Sequence, residues 1–454
     1  ASGAGSVTFD GVVGATKLAA VDITGNAVTI NQAFSSSSTV AITNEGLLTV
    51  ADDATITADG GFTQDGTGAM SLGADITTVN NNMTIGSALT LLDDGTAGQL
   101  VTLSTGSGAG AIQLAGITGG DGTNNNSLTL VSGSGTTTVS GAVTEMNALT
   151  VQASGATGAV TFNNKVVATS LTTAAGAYNV SLLGDDTVIA NAVTFNNTDI
   201  LTLGNAAGDP TTDTIKFTKG VTATATSKVV TAGTIDTHGA VIDLGVMELA
   251  ADTTLDTVNS PGADITLGDL TGLYGLTLTA GTGVVKLDGK LSLAALTVDA
   301  ATIEIKGGTT IADGVVTEQT VATTGAQSYT GATVLGADTT LTGSAVTFTG
   351  TVDSAVNIGG TTDVSYAYDL TVSATDSTAG VTFTDSIGAD GDSELGAIIV
   401  NTAGVTDFRG VIEAASVFTD EPGTVNVGAN VTVTGSAGAT FLENLTLAAQ
   451  NITI

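Results

Sequence analysis

Cysteine and tryptophan are absent from this 454-residue chain, and proline occurs only at Pro210, Pro261 and Pro422. Without cysteine there is no disulfide framework and no thiolate metal site. So little proline rules out a stiff proline-rich spacer, whereas the 61 glycines fit many tight turns that need positive φ. Aromatic residues make up 4% of the chain. That is meagre for a compact globular core, but a narrow β-helical interior can be filled by stacked Val, Ile, Leu, Ala and Thr. Basic residues are also scarce: 9 against 43 acids, for a net charge of −34. Such a surface repels phosphate backbones and anionic lipid, so nucleic-acid partners are excluded. No run of about 18 uncharged apolar residues occurs, and membrane insertion by a helix is not expected. Residues Ala1 to Val13 carry no basic charge and no long apolar block. A leader is therefore expected to be removed or to lie outside this sequence. High net charge alone would suggest disorder, but apolar residues reach 42% with dense β-branched alternation, so the chain should fold.

What is present is a short unit that keeps returning. Val-Thr-Phe followed by a small polar turn stands at Val7-Thr8-Phe9, Val160-Thr161-Phe162, Val193-Thr194-Phe195, Val346-Thr347-Phe348 and Val381-Thr382-Phe383. Looser copies are Ile215-Lys216-Phe217 and Val405-Thr406-Asp407-Phe408. Between them run further alternating triplets such as Val28-Thr29-Ile30, Leu48-Thr49-Val50 and Met83-Thr84-Ile85, separated by Gly, Asp, Asn and Ser. Period-two alternation puts the apolar set inward and threonine outward, which reads as strands joined by turns. One short strand cannot bury an apolar face alone, so repetition over hundreds of residues implies stacking into a solenoid. The segment 240–251 comes nearest to a helical pattern and is weaker than the strand signal around it.

A longer internal match supports the repeat. Thr172-Thr173, Tyr178, Leu183-Gly184 and Ala192-Val193-Thr194-Phe195 run parallel to Thr323-Thr324, Tyr329, Leu335-Gly336 and Ala345-Val346-Thr347-Phe348. The spacings differ by only about two residues, as solenoid coils do when turns absorb insertions. Gly-Ala-Asp steps at Gly73-Ala74-Asp75 and Gly262-Ala263-Asp264 are expected to close one strand and open the next.

Two strings carry a family resemblance. Phe62-Thr63-Gln64-Asp65-Gly66-Thr67-Gly68 leads to Leu72-Gly73-Ala74-Asp75-Ile76, and Gly325-Ala326-Gln327-Ser328-Tyr329-Thr330-Gly331 leads to Leu335-Gly336-Ala337-Asp338-Thr339. Both resemble repeats of the large bacterial exoproteins related to filamentous haemagglutinin. The resemblance implies a secreted, right-handed parallel β-helix that serves as an adhesin or surface filament. The secretion domain of that family is not visible near Ala1.

Acidic turns are the candidates for a ligand. Asp390-Gly391-Asp392-Ser393-Glu394 places three carboxylates at alternate positions, so that a curled loop could turn Asp390, Asp392 and Glu394 toward one calcium ion. The same residues also read as a solvated turn, and the turn glycine of an EF-hand loop is replaced by Leu395. Gly119-Gly120-Asp121-Gly122-Thr123-Asn124 has one partial copy of a calcium-binding nonapeptide, a motif that works in tandem. The pairs Asp52-Asp53, Asp93-Asp94 and Asp185-Asp186 read as turn formers before catalytic dyads. Arg409, the one arginine, and His238, the one histidine, read as exposed turn substituents with no triad partner nearby in sequence. Sequons at Asn82, Asn125, Asn179, Asn196, Asn430, Asn444 and Asn451 are numerous because threonine is numerous.

The expectation is thus an all-β, right-handed parallel β-helix over 1–454, one continuous solenoid with coils of roughly 20 to 25 residues. Val, Ile, Leu and Phe should stack in rows inside it, with Asn ladders at turns. The strands Leu445-Thr446-Leu447 and Ile452-Thr453-Ile454 still read as core, so the natural chain is expected to continue or Ile454 to meet another subunit. Function is read as non-enzymatic: an extracellular structural or adhesive protein on the bacterial surface that self-associates into a filament or stalk and contacts host or cell-surface glycans. Two other readings stand beside it, a calcium-dependent surface-layer lattice subunit and a β-helix carbohydrate-active enzyme.

Overall fold

Alternation of this kind has a direct structural outcome. In the strand Val28–Ile30 the two apolar residues are fully buried while Thr29 between them is half-exposed, and Leu48–Val50 and Met70–Leu72 repeat the pattern. Each buried Val, Leu or Ile contributes roughly 1.5–3 kcal/mol relative to exposure. No three-residue strand can realise that gain by itself, and each is sandwiched between equivalents from the coils before and after. The computed structural model describes residues 5–92, 99–120, 125–155, 157–207, 213–258, 261–307, 318–355, 367–389, 393–420 and 422–448. These hold 46 strands and, among the described residues, no helix. The fold is an all-β parallel β-solenoid of about 19 turns.

The chain divides into two units, Ala1–Val230 and Thr231–Ile454. In the first, three columns of parallel strands recur turn after turn. One column stacks Val7, Val28, Leu48, Met70 and Leu89 in register. A second stacks Phe34, Ile56, Ile76, Leu103 and Leu130, and a third Val40, Phe62, Met83, Ile112, Thr137 and Val160. The second unit is built alike, with Leu276, Leu296, Gln327, Val346, Val381, Thr406 and Val425 in one column and Leu270, Leu291, Val321, Leu341 and Val372 in another.

Coils vary more than the 20 to 25 residues expected. Val285 pairs with Ile303 eighteen positions on, whereas Val346 pairs with Val381 after thirty-five. The long spans include 308–317 and 356–366, which lie outside the described residues. Register on either side is kept because slipping by one would turn the apolar set out to water. The near-helical segment 240–251 is strand: Ile242–Leu244 and Met247–Asp256, with Ile242, Leu244, Met247 and Leu249 inward. Its period of two prevails because Ile242, Leu244 and Met247 lie in register with Ile265, Leu267 and Leu270 of the next coil.

The interior is filled in two ways. In the second unit Tyr329, Phe348, Phe383 and Phe408 stack face to face, with centroids 4.9, 5.1 and 5.3 Å apart and planes within 12°. They occupy one register column, so the coil repeat itself sets the stacking distance. In the first unit Gln64 donates to Asn44 Oδ1 at 2.7 Å and to the Gly68 carbonyl at 3.1 Å, while its Oε1 accepts from Ser87 Oγ at 3.0 Å and from the Ser87 amide at 3.2 Å. The expected turn ladders of like Asn residues are replaced here by a buried mixed amide chain. The internal repeat is also looser in space than in sequence. Tyr329 stacks on Phe348, but next to Tyr178 it is Gly176 that pairs with Asn197, and Phe195 meets Phe217 edge-on at 6.0 Å.

Candidate functional site

Whatever meets the outside world meets the outward positions of these strands. In the first unit one column of them reads Thr8, Thr29, Thr49, Ser71, Thr90, Thr118 and Thr144, seven hydroxyl residues in unbroken register. None of the seven carries charge. Parallel pairing spaces such hydroxyls about 4.8 Å apart along the stack. In the second unit the outward positions come in pairs: Thr254 and Asp256, Thr277 and Thr279, Thr297 and Asp299, Ser328 and Thr330, Thr347 and Thr349, Thr382 and Thr384. The last three pairs lie directly over the aromatic stack, since Tyr329, Phe348 and Phe383 are the inward residues between them, whereas Leu255, Leu278 and Val298 lie between the first three.

The acids have a job that the sequence reading did not assign. An Asp or Asn just ahead of a strand turns its side-chain oxygen onto a backbone N–H of the next coil. Asp75 accepts from Thr102 at 2.7 Å, Asp269 from Lys290 at 2.8 Å, Asp338 from Asp369 at 3.0 Å and Asp369 from Ala397 at 2.6 Å. Asn82 does the same for Ala111 at 2.9 Å and Asn179 for Ile200 at 3.1 Å. Lys290, Asp369 and Ala111 donate from just ahead of a strand, and Thr102, Ala397 and Ile200 from within one. Each such bond is worth about 1 kcal/mol, or more when the acceptor is charged. The Ala-Asp-Ile and Ala-Asp-Thr steps were the sequence signal: the Asp both opens its own strand and holds the following coil.

Charge of both signs gathers on one outward region of the second unit. Lys286 donates to Asp264 at 2.8 Å and faces Glu304 in register, and Lys306 bonds Glu304. The hydrogen bond from Lys286 holds the Asp264 carboxyl below its ordinary range, and the same contact raises Lys286. Burial raises Asp243 and Asp288. Two open clefts are lined by acids: one of about 370 Å³ with Asp52, Asp53, Asp75 and Gln99, and one of about 200 Å³ with Glu318, Asp338 and Asp369. Asp52 accepts from Gln99 at 2.8 Å, so the first cleft is partly closed by its own side chains. Among the described residues no group of three or more His, Cys, Asp or Glu side chains could hold a metal.

Of the calcium candidates, Asp390 and Asp392 lie outside the described residues, and Glu394 accepts a hydrogen bond from Thr434. Asp121 to Asn124 and the pair Asp93-Asp94 also fall outside. Asp53 and Asp186 sit at φ of 55° and 57°, in left-handed turns. Asp185 spends its Oδ1 on the amides of Asp186 and Thr214, at 2.8 and 2.9 Å. His238 is an exposed turn residue at φ 53°, and Arg409 is exposed and bonds Asp407 at 2.8 Å.

The strings around Gln64 and Gln327 share a device and differ in its placement. Gln64 ends its strand inside the solenoid, whereas Gln327 begins one, donating to the carbonyls of Val321 and Thr342 at 3.0 and 2.9 Å and accepting from Tyr329 at 2.8 Å. In both, a glycine follows where coils approach closely. Gly331 has φ +128°, and a Cβ there would overlap the Ala300 carbonyl; at Gly66 it would overlap the Asn44 backbone. No family model, curated protein or solved structure matches the chain.

Proposed function

We propose that the protein is a non-enzymatic structural or adhesive element of the bacterial cell surface, displayed outside the cell as a filament or stalk. The observation that carries this reading is the uncharged hydroxyl column from Thr8 to Thr144, an uninterrupted regular surface on a chain of net charge −34. The acids support it, because many are used to bind one coil to the next. The proposal includes a right-handed winding, the hand that crossovers between parallel strands take in nearly all folds. It also includes one continuous shaft through both units, kinship with the exoproteins related to filamentous haemagglutinin, and self-association as well as contact with surface glycans.

Negative-stain images of the purified chain, with and without a calcium chelator, test this. Fibres that persist in chelator are the expected result. Sheets that dissolve on chelation would instead favour the surface-layer subunit, and discrete globules in both conditions would end every assembly role. Turnover of an acidic polysaccharide would move the assignment to a carbohydrate-active enzyme.

A further inference from the structure

The turn ahead of the strand Asn444–Leu447 holds a carboxylate with nothing to bond. Both Oε atoms of Glu443 are closed off from solvent, and neither has a hydrogen-bond partner. The side chain lies against the turn of the coil before: a Cβ added at Gly423 would stand 3.2 Å from its Cδ. Pro422, Gly423, Leu442 and Asn444 complete a cleft of about 250 Å³ around it.

Among the described residues the charged group facing Glu443 is Asp420, whose Oδ1 accepts the Thr402 amide at 2.9 Å. The neighbouring strand Thr424–Val427 carries no titratable residue, and Glu421 lies outside the described residues. On the far side Gly423 approaches the carbonyls of Thr402 and Gly404, and Gly404 that of Asp376, whose carboxylate is held by Thr378. A carboxylate denied both water and donors is more stable neutral than ionised.

We propose that Glu443 is a proton-operated latch on the strand Asn444–Leu447. Neutral, it lets Pro422 and Gly423 pack against it. Ionised beside Asp420, it drives the Leu442–Glu443 turn out to water and loosens a strand whose described pairing is with Thr424–Val427 and whose Leu445 and Leu447 are already about half exposed.

Burial, with Asp420 adding to it, pushes Glu443 from 4.5 up to about 7. A carboxyl raised on closing favours the closed form at low pH. That advantage is lost as pH rises from the ordinary value through the raised one, and it is flat above.

The experiment is amide hydrogen exchange on the full chain between pH 5 and 8.5, corrected for intrinsic rates and followed over 424–447. Opening should rise several-fold per pH unit up to about pH 7, below the roughly tenfold limit set by one proton, and then level off. Glu443→Gln should remove the slope and keep the strand protected, and Asp420→Asn should shift the midpoint down. The carboxyl ¹³C signal lost in Glu443→Gln should titrate near neutrality in the parent. A slope that survives in Glu443→Gln, or a carboxyl that titrates in the ordinary glutamate range, overturns the latch. Neither readout depends on whether the chain forms filaments.

Discussion

The coils from Tyr329 to Phe408 and those from Asn44 to Ser87 fill their interiors with opposite materials. In the second unit four rings lie flat on one another, each the inward residue of a three-residue x-aromatic-x step. In the first unit an amide chain runs from Asn44 through Gln64 to Ser87, with contacts of 2.7 to 3.2 Å. The rings hold by area and shape, tolerate no smaller side chain and ask nothing of hydrogen-bond geometry. The amides hold only while every donor and acceptor is met, and removing one strands the others in a dry interior. A parallel solenoid accepts both because its backbone ladder fixes the spacing independently of what lies inside.

Truncating the middle of the aromatic stack should produce the largest effect. Phe348→Ala empties a site packed on both sides by rings and is expected to cost about 3–5 kcal/mol. Without tryptophan as a probe, the loss is best read as hydrogen exchange confined to the coils around 327–383, or as a lower urea midpoint by circular dichroism. Gln64→Ala should cost less, about 1–3 kcal/mol, because it leaves the Ser87 amide and Asn44 Oδ1 without their partner. If Gln64→Ala proved as costly as the ring truncation, the contrast between the two interiors would be wrong. The smallest effect belongs to the turns that both regions share. Asp75→Ala should cost about 1 kcal/mol by uncapping the Thr102 amide, whereas Asp75→Asn should be nearly neutral because an acceptor oxygen remains. Equal losses in the two variants would mean that charge, and not the cap, is what Asp75 supplies.

Much of the fold was legible in the residues. The inward positions of Val28–Ile30, Val346-Thr347-Phe348 and Val381-Thr382-Phe383 follow from alternation alone, since a period of two leaves one face to be buried. The Phe of each Val-Thr-Phe step is interior from Phe162 onward, as expected, while Phe9 is only partly buried. The candidate site was far less legible. Asp75, Asp338 and Asp369 are ordinary turn residues by local chemistry, and their partners Thr102, Asp369 and Ala397 are 27 to 31 residues away. Glu443 is one more surface acid by sequence, because nothing local shows that the turn at Pro422-Gly423 closes over it.

Composition and periodicity by themselves determined that this chain makes short strands, that apolar and hydroxyl residues part to opposite faces, and that neighbouring units must stack to stay dry. Those properties belong to segments of three to ten residues and need no knowledge of what lies alongside. Tertiary structure alone decided which coil lies on which: that Tyr329 meets Phe348 while Tyr178 misses Phe195, that coils run from eighteen to thirty-five residues, and that acids cap the following turn. Register is chosen by the summed burial and hydrogen bonding of whole coils, and that sum exists only once they are stacked.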